Sequence, residues 1–296
     1  MTQQAQAQLA LPLLETAGLD LDRADLVTYV MRQHFRYDYE GSAYDLAHRL
    51  VVVPPQRHGN QHRRLHSLQV SAVDAAVSTW RDRHGNVVNS VRLGVVPATV
   101  EFTLQAVLER RASGAAGVVL PLSALTELRL LRPTKLTSAD ESLLSVAREL
   151  RATTSDDLEF AERCCAHVNG AIAYEYGATS VSTTAAEAYA GGRGVCQDHA
   201  HVMLALCRAA GVPARYVSGH LLGEGGSHAW VEVVVREGAH ARAIAFDPCN
   251  GCRAGAGYIT VATGRDYRHV APTSGSYAGE ATGRLTVSKQ IGVIAA

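Results

Sequence analysis

Three side chains of this sequence, a thiol, an imidazole and a carboxylate, are placed where they could act together on a carbonyl group. Cys196 follows a glycine-rich turn and opens a stretch with apolar residues at helical spacing, so we expect it in the first turn of a helix. There, unpaired backbone N–H groups and the helix dipole favour the thiolate over the thiol. His228 could accept the proton of this thiol, and Asp247 could hold the imidazole in the required tautomer. These residues predict nucleophilic attack by sulfur.

The elements that must position these groups are a helix and a hairpin. The helix should end near Gly211, which suits a left-handed cap and is followed by Pro213. Strand-like runs follow at 214–222, 228–235 and 242–246. With a turn at 237–238, opposed residues have numbers that sum to 475, so His228 faces Asp247. Their Cβ atoms would then be about 4.5–5.5 Å apart, which suits a hydrogen bond between the two side chains.

Four ordered motifs give the chain a resemblance to a known family. The motifs are Gly194-Val195-Cys196-Gln197-Asp198, Gly211-Val212-Pro213-Ala214-Arg215, Ser227-His228-Ala229-Trp230-Val231-Glu232 and Phe246-Asp247-Pro248. With them the chain resembles the transglutaminase-like superfamily within the papain-like cysteine enzymes, and more narrowly the bacterial transglutaminase-like proteins with an additional N-terminal β-rich domain. The resemblance implies that Cys196 is the nucleophile, His228 the general base and acid, and Asp247 the orienting carboxylate. It also implies acyl transfer through a thioester, to water or to an amine.

Residues beside the three catalytic candidates are candidates for substrate contact. Gly194 would let the backbone approach the acyl group, and the Cys196 amide would be the first donor of an oxyanion hole. No second donor is identifiable. Gln197 is either a substrate contact or a capping partner in the first turn, and Trp230 is either a cleft wall or core. For the nearby His201 we favour a buried, hydrogen-bonded structural role.

Two groups of potential metal ligands have simpler interpretations. His58, His62 and His66 recur every four residues, but they lie among Pro, Gly, Asn and Arg, so we expect a solvated loop in a hairpin connection. Cys249 and Cys252 form a C-x-x-C pair that could be half a metal site or a redox pair, although two reduced cysteines are the default. We predict neither a metal nor a cofactor.

The order of patterns predicts an α+β fold with two modules. Residues 1–25 form an N-terminal extension, in which a short helix is conceivable, and 26–111 form a β-sandwich-like domain with short strands between turn signals. A linker at 112–137 leads to a transglutaminase-like catalytic domain with a C-terminal strand at 138–296, in which the helix that begins at Cys196 packs on an antiparallel sheet. Helices are expected from Ser138 or Asp140 to Leu150 and from about Ser155.

Composition excludes several classes of partner. Lys plus Arg and Asp plus Glu number 28 each, so no charge excess points to nucleic acid or to an anionic membrane. No apolar run reaches the length of a membrane span or of a signal-peptide core. Six cysteines in a chain of 296 residues fit a reducing compartment better than a disulfide scaffold. We therefore expect a cytoplasmic protein.

These residues favour a thiol-dependent enzyme that hydrolyses a peptide, isopeptide or side-chain amide through a thioester. The first alternative is amide bond formation with an amine acceptor, in peptide modification or in assembly of a small metabolite. The second is a binding scaffold that keeps the fold without catalysis. The sequence predicts a peptide, protein or small-molecule amide as the substrate class. It predicts neither the individual substrate nor the oligomeric state.

Overall fold

The computed structural model describes residues 12–14, 19–96, 98–111 and 117–296. The chain forms a mixed fold with more strand than helix, built largely from antiparallel sheets. Most of the predicted N-terminal extension, including any short helix there, lies outside the described residues. The same holds for the first five residues of the predicted linker, 112–116.

The first part of the chain is made of strands, in agreement with its alternating pattern. Along the last of them, Val100, Phe102, Leu104 and Ala106 are buried while the residues between them are half-buried, as expected for a strand with one face in the core. The strands are β1 (Leu26–Tyr39), β2 (Ala43–Val53), β3 (Arg57–His58), β4 (Gln61–Val70), β5 (Ala76–Arg81), β6 (Val87–Val96) and β7 (Thr99–Arg111).

The histidine-rich segment includes a hairpin, as predicted, but its histidines lie in the strands, where His58 and His62 are half-buried, so the expectation of a solvated loop was wrong. His58 lies in β3, and both His62 and His66 lie in β4. The cause is a long-range contact that no local pattern encodes. The amide group of Gln61 donates to the carbonyl of Thr260 at 2.8 Å and accepts from the amide of Thr260 at 2.9 Å. Gln61 thereby pairs with the backbone of a distant strand and fixes the segment against it.

The middle of the chain is helical. Asp140 caps the second helix through the amide of Leu143, which confirms one of the two predicted caps. Thr184 and Glu187 form a capping box on the fourth helix. The elements are β8 (Val118–Leu120), 3-10 turns at Leu122–Thr126 and Lys135–Thr137, α1 (Leu128–Leu131), α2 (Glu141–Ala152), α3 (Asp157–Ala171), β9 (Ala173–Tyr174), α4 (Ala185–Gly191), β10 (Arg193–Gly194) and α5 (Cys196–Ala209).

The last third returns to strands and closes the fold. Its elements are β11 (Ala214–Leu221), β12 (His228–Glu237), β13 (His240–Asp247), β14 (Cys252–Arg253), β15 (Tyr258–Gly264), α6 (Tyr267–Val270), β16 (Thr273–Ala278) and β17 (Gly283–Ala295). The central sheet has the order β14-β13-β12-β11-β15, with β8 beside β13. Helix α5 packs against β12 through apolar residues that include Val231 and Val233. This places the amino end of α5 beside the sheet.

The chain end joins the strands of the chain start. β17 pairs with β1 in the sheet β17-β1-β7-β4-β3, and β16 pairs with β2 in the sheet β16-β2-β6-β5. Side chains of the two sheets meet: the rings of Tyr37 in β1 and His48 in β2 have centroids 4.4 Å apart. Asn86, just before β6, donates to the carbonyl of Thr263 in β15 at 2.8 Å. The N-terminal strands are thus fixed to the sheet that carries His228.

A buried carboxylate adds a second link between these parts. Glu232 of β12 is 3% exposed, contacts His58 Nε2 at 2.5 Å and accepts from Arg215 Nε at 2.7 Å. Burial raises the pKa of Glu232, but the charges and hydrogen bonds of Arg215 and His58 outweigh it and lower the pKa to about 2. Because the pKa is below its ordinary value of 4.5, the ionised side chain stabilises the fold above about pH 4.5. This stabilisation is lost as the pH falls towards 2.

Replacing Glu232 with Gln is therefore expected to lower the free energy of unfolding by about 3 kcal/mol at pH 7, because the half-buried Arg215 guanidinium loses its counter-charge and His58 loses its carboxylate partner. Urea denaturation at several pH values measures this, and the difference from the wild-type protein should narrow below about pH 4.5. Glu237→Gln is the matched control: Glu237 pairs with Arg242 on the same sheet but is half exposed, so its loss should change the free energy of unfolding far less. Equal effects of the two substitutions would contradict the linking role of Glu232.

Candidate active site

Cys196 occupies the first position of α5, as predicted from the glycine turn and the helical spacing that follows. The carboxylate of Asp198 accepts a hydrogen bond from the amide of Val195 at 2.8 Å and thereby caps this end of the helix. At the other end, Gly211 has a φ of +74°, in the left-handed region that the sequence predicts for it. Cys196 itself is partly exposed, whereas most of α5 behind it is buried. The thiol therefore lies at the surface end of a core helix.

Gly194 lets the approaching chain lie against the start of this helix. A Cβ atom at this position would lie 2.7 Å from both Cβ and Oδ2 of Asp198, which is closer than carbon and oxygen atoms can approach. Gly194 also pairs with Tyr174 in the short parallel ladder of β9 and β10. Only glycine fits here, because any side chain would displace the capping carboxylate.

The hairpin that carries the other two candidates has a different register from the predicted one. Val231 faces Phe246 and Glu237 faces His240, so the turn consists of residues 238–239 and the predicted register was wrong by two residues. Gly238 has a φ of +56°, which a tight two-residue turn requires. Side chains alternate between the two faces of a strand, so a shift of two residues keeps the same face. His228 and Asp247 consequently meet diagonally instead of directly.

The imidazole of His228 lies between a carboxylate and the thiol. Its Nε2 donates to Oδ2 of Asp247 at 2.7 Å, and both side chains are almost fully buried, at 3% and 0% exposure. Cys196 is close enough to the ring to raise its pKa. Burial lowers the pKa of His228, but the hydrogen bonds and charges of Asp247 and Cys196 raise it to about 10. The arrangement stabilises a proton on the ring.

Glu224 is an unpredicted neighbour of the imidazole. Its carboxylate lies 3.2 Å from Nδ1 of His228, and its side chain is 41% exposed. It belongs to the glycine-rich connection between β11 and β12, where no sequence pattern marked it. The Nδ1 side of His228 thus faces an acidic group at the protein surface.

Asp247 is held by more donors than His228 alone. Its Oδ1 accepts from the amides of Cys249 at 2.9 Å and Asn250 at 3.2 Å, and its Oδ2 accepts from Asn250 Nδ2 at 2.7 Å and from the Tyr258 hydroxyl at 2.8 Å. Burial raises the pKa of Asp247, but the bonds from His228, Tyr258 and Asn250 outweigh it and lower the pKa. The sequence analysis missed Asn250 and Tyr258. The Asx turn that follows Asp247 was a readable signal for the first of them.

Trp230 and Gln197, which the sequence proposes as substrate contacts, are both buried. Trp230 is 1% exposed, and its ring stacks on His228 with centroids 6.2 Å apart. Gln197 is 8% exposed, and its Nε2 lies 3.5 Å from the carbonyl of Ser180. Substrate contact by these two residues and by Gly194 stays a prediction.

His201 has the structural role that the sequence favours. It is fully buried in α5, and its Nε2 accepts a hydrogen bond from the amide of Tyr267 at 3.2 Å. Burial lowers the pKa of His201 to about 4, so the ring is neutral near pH 7. It therefore joins α5 to the start of α6 and contributes no charge to the site.

All six cysteines of the chain are free thiols. Cys249 is partly exposed and Cys252 is exposed, with the Cys252 sulfur 3.4 Å from the Tyr258 hydroxyl. Burial raises the pKa of Cys249 to about 12, with smaller contributions from Asp247 and Cys196. The thiol of Cys249 is therefore protonated near pH 7 and is a weaker nucleophile than a thiolate would be.

The part of the chain that contains the three candidate residues matches a known family. Residues 144–248 match the family model of the transglutaminase-like superfamily. They form a transglutaminase-like domain. The matched range contains Cys196, His228 and Asp247, and it runs from α2 to the residue after β13.

Sequence similarity to two mycobacterial proteins extends beyond the transglutaminase-like domain. An uncharacterised protein of Mycobacterium leprae is 32% identical over 172 residues, which cover 55% of this chain and 60% of that protein. This chain thus spans less than two thirds of the length of that relative. An uncharacterised protein of Mycobacterium bovis is 28% identical and covers 82% of this chain and 85% of its own length.

A solved structure shares the fold beyond the transglutaminase-like domain. A candidate cysteine protease from Cytophaga hutchinsonii superimposes with a TM-score of 0.73 at 19% identity, over 92% of each chain. At this identity the likeness establishes the fold. Within the described residues, the helices are all too short or too polar to cross a membrane.

Proposed function

We propose that the protein is a thiol-dependent acyl-transfer enzyme that hydrolyses a peptide, isopeptide or side-chain amide through a thioester on Cys196. The observation that carries this proposal is a line of three groups, in which the Asp247 carboxylate lies 2.7 Å from the His228 ring and Cys196 is close enough to raise the pKa of that ring. Each member comes from a different element, α5, β12 and β13. A buried carboxylate that is hydrogen-bonded to an imidazole orients the ring and stabilises its charged form while the ring takes up and returns a proton.

The steps follow from this line. His228 accepts the thiol proton, and the sulfur of Cys196 attacks the amide carbon, so that a C–S bond forms and the carbonyl oxygen becomes negative. The protonated ring then donates its proton to the amide nitrogen, the C–N bond breaks and the amine leaves. His228 next accepts a proton from water, which attacks the thioester, and the acid and the free thiol are released. Asp247 stabilises the ring each time it is charged.

The negative oxygen requires donors. We propose the backbone amide of Cys196 as the first, because it is an unpaired donor at the start of α5. Tyr174 is our candidate for the second. It pairs with Gly194 on the approach to the nucleophile, its side chain is exposed, and the charge of Cys196 is among the causes, after burial, that raise its pKa.

Amide bond formation with an amine acceptor is the second candidate function, and Glu224 is the observation that favours it. A half-exposed carboxylate beside Nδ1 of His228 would attract a cationic amine to the ring that deprotonates it. The thioester and the triad are the same in both reactions, so only the group that attacks the thioester differs.

A chromogenic ester tests both candidates. Mixing the protein with p-nitrophenyl acetate is expected to give a burst of nitrophenolate, and peptide mass mapping after an acid quench should locate the acetyl group on Cys196. Adding putrescine then separates the two functions: free acetate indicates hydrolysis, and acetylputrescine indicates transfer to an amine. A burst without an adduct on Cys196, or no burst at all, would count against an acyl-transfer function and leave the binding scaffold.

A further inference from the structure

A cavity of about 290 Å³ lies between the N-terminal strands and the central sheet. One wall comes from the paired strands β1 and β17, through Gln33, Phe35, Val287 and Lys289. Another comes from β11 and the segment 225–227, which ends directly before His228. The space therefore adjoins the imidazole of the proposed triad, and a group bound in it would lie next to the reacting centre.

The cavity carries one cationic side chain. Lys289 lies directly opposite Gln33 in the antiparallel pair of β17 and β1, so both side chains are on the same face. The Lys289 nitrogen is 3.1 Å from Nδ1 of His220, and Nε2 of that ring is 2.6 Å from the Gln33 amide. His220 is itself 4% exposed, and burial lowers its pKa to about 3, so the ring is neutral and provides no counter-charge.

The polar groups of this cavity are left incompletely paired. Among the residues that the structure describes, no carboxylate lies within the 4.0 Å ion-pair distance of the Lys289 nitrogen. Gln33 is 5% exposed, lines the cavity and has one amide atom, Oε1, without a hydrogen-bond partner. An ammonium without a counter-ion is costly in such a cavity unless a ligand supplies the negative charge. If the Gln33 amide is turned over, its oxygen accepts from Nε2–H of His220 and its NH₂ group can donate to a bound carboxylate.

The rest of the lining is apolar and partly open. Leu285 and Val287 lie on the face of β17 that also carries Lys289, and they are 42% and 50% exposed. Phe35 and Val51 contribute buried apolar surface. Large aliphatic side chains that remain exposed along a concave wall gain free energy when an apolar group covers them. The lining thus combines one positive charge with a short apolar channel.

The electrostatics connect this cavity to the triad. The charges of Glu224 and Cys196 both act on the Lys289 ammonium, whose pKa burial lowers to about 8. The charge of His228 likewise acts on His220 and lowers its pKa. These interactions place Lys289 within range of the nucleophile, and they keep the ammonium charged at neutral pH.

We propose that this cavity binds a carboxylate that the amide substrate carries on a short apolar stem, with Lys289 as its counter-ion and the Phe35, Leu285 and Val287 side chains against the stem. That the bound molecule is a substrate rests on the proposed function, whereas the existence of the binding site does not. It narrows the substrate class to amides with a free carboxylate near the scissile bond, and it makes Lys289 and the N-terminal strands determinants of specificity.

Hexanoate and hexanamide, which differ in charge and share the apolar stem, are suitable probes. In the Cys196→Ala background, titrations followed by 1H–15N NMR should show saturable shifts of the Gly226 and Ser227 amides with hexanoate, and binding about tenfold weaker or more with hexanamide, as expected for loss of an ion pair. Lys289→Met should remove this preference, and Lys289→Arg should retain most of it. Lys135, the other of the two lysines, is exposed and does not line the cavity, so Lys135→Met is the matched control and should bind as the parent does.

The outcomes separate this inference from the proposed function. Equal affinity for the two probes, or shifts that do not saturate, would overturn the carboxylate site even if acetylation of Cys196 is observed. Hexanoate binding that depends on Lys289 would support the site even if the ester assay fails. The comparison of the two probes on the parent protein needs no lysine variant, so a variant that fails to fold leaves the test intact.

Discussion

Cys196→Ala is expected to abolish the burst of nitrophenolate and to reduce turnover of an amide by as much as about 10⁶-fold, the size of effect seen when a triad nucleophile is removed. The reason is that Cys196 is the partly exposed thiol beside the His228 ring, which raises its reactivity. Cys207 and Cys164 are fully buried, and Cys249 keeps its proton because its pKa is raised to about 12. Rapid-quench kinetics with the ester, together with adduct mapping, measure the effect.

Cys207→Ala is the matched control for this variant. It removes a thiol from the same helix α5. The Cys207 thiol is fully buried, at 0% exposure, so neither solvent nor substrate reaches it. Its burst should equal that of the wild-type protein per folded molecule. A burst that persists in Cys196→Ala with unchanged amplitude would show that another group is acylated and would remove Cys196 from the mechanism.

The parts of this fold that the sequence predicts well are those decided by neighbouring residues. The start of α5 at Cys196, its left-handed end at Gly211 and the Asp140 cap depend on side chains within a few positions. The face shared by His228 and Asp247 was also predictable, because strand alternation fixes it even when the turn is displaced by two residues. The hairpin register itself depends on which residues adopt the turn, and the pattern left that open.

Contacts between distant segments were beyond the sequence. The cavity joins Gln33, His220 and Lys289, which three separate strands bring together. Their meeting depends on β17 pairing with β1, and the alternating pattern of residues 284–294 is compatible with either sheet. Tyr258 reaches Asp247 from β15 in the same way. A single sequence contains no local signal for such pairings, because they arise from packing of the whole chain.

Asp247→Asn is expected to lower the acylation rate by about 10⁴-fold while the fold is kept, because the ring of His228 would be held in the wrong tautomer. In the wild-type protein the Nε2–H of His228 donates to Asp247, so Nδ1, which faces Glu224, is the nitrogen that takes up and returns the thiol proton. The amides of Cys249 and Asn250 both donate to Oδ1, so the carbonyl oxygen of an asparagine would take that position. Its NH₂ group would then point at His228 Nε2, which would have to accept, and the ring proton would move to Nδ1.

The pKa of His228 provides a readout that a purely structural role of Asp247 would not change. It is raised to about 10 because the bonds and charges of Asp247 and Cys196 outweigh burial, so the loss of the carboxylate charge should lower it by several units. Proton NMR of the His228 ring measures this directly, and thermal unfolding shows whether the variant is folded. Tyr258→Phe is the graded control: it removes one neutral donor to Asp247 and keeps the charge, so His228 should titrate close to the wild-type value and acylation should fall far less. If Asp247→Asn and Tyr258→Phe slowed acylation equally, the carboxylate would be one packing partner among several, and the charge behind the imidazole would not be what drives proton transfer.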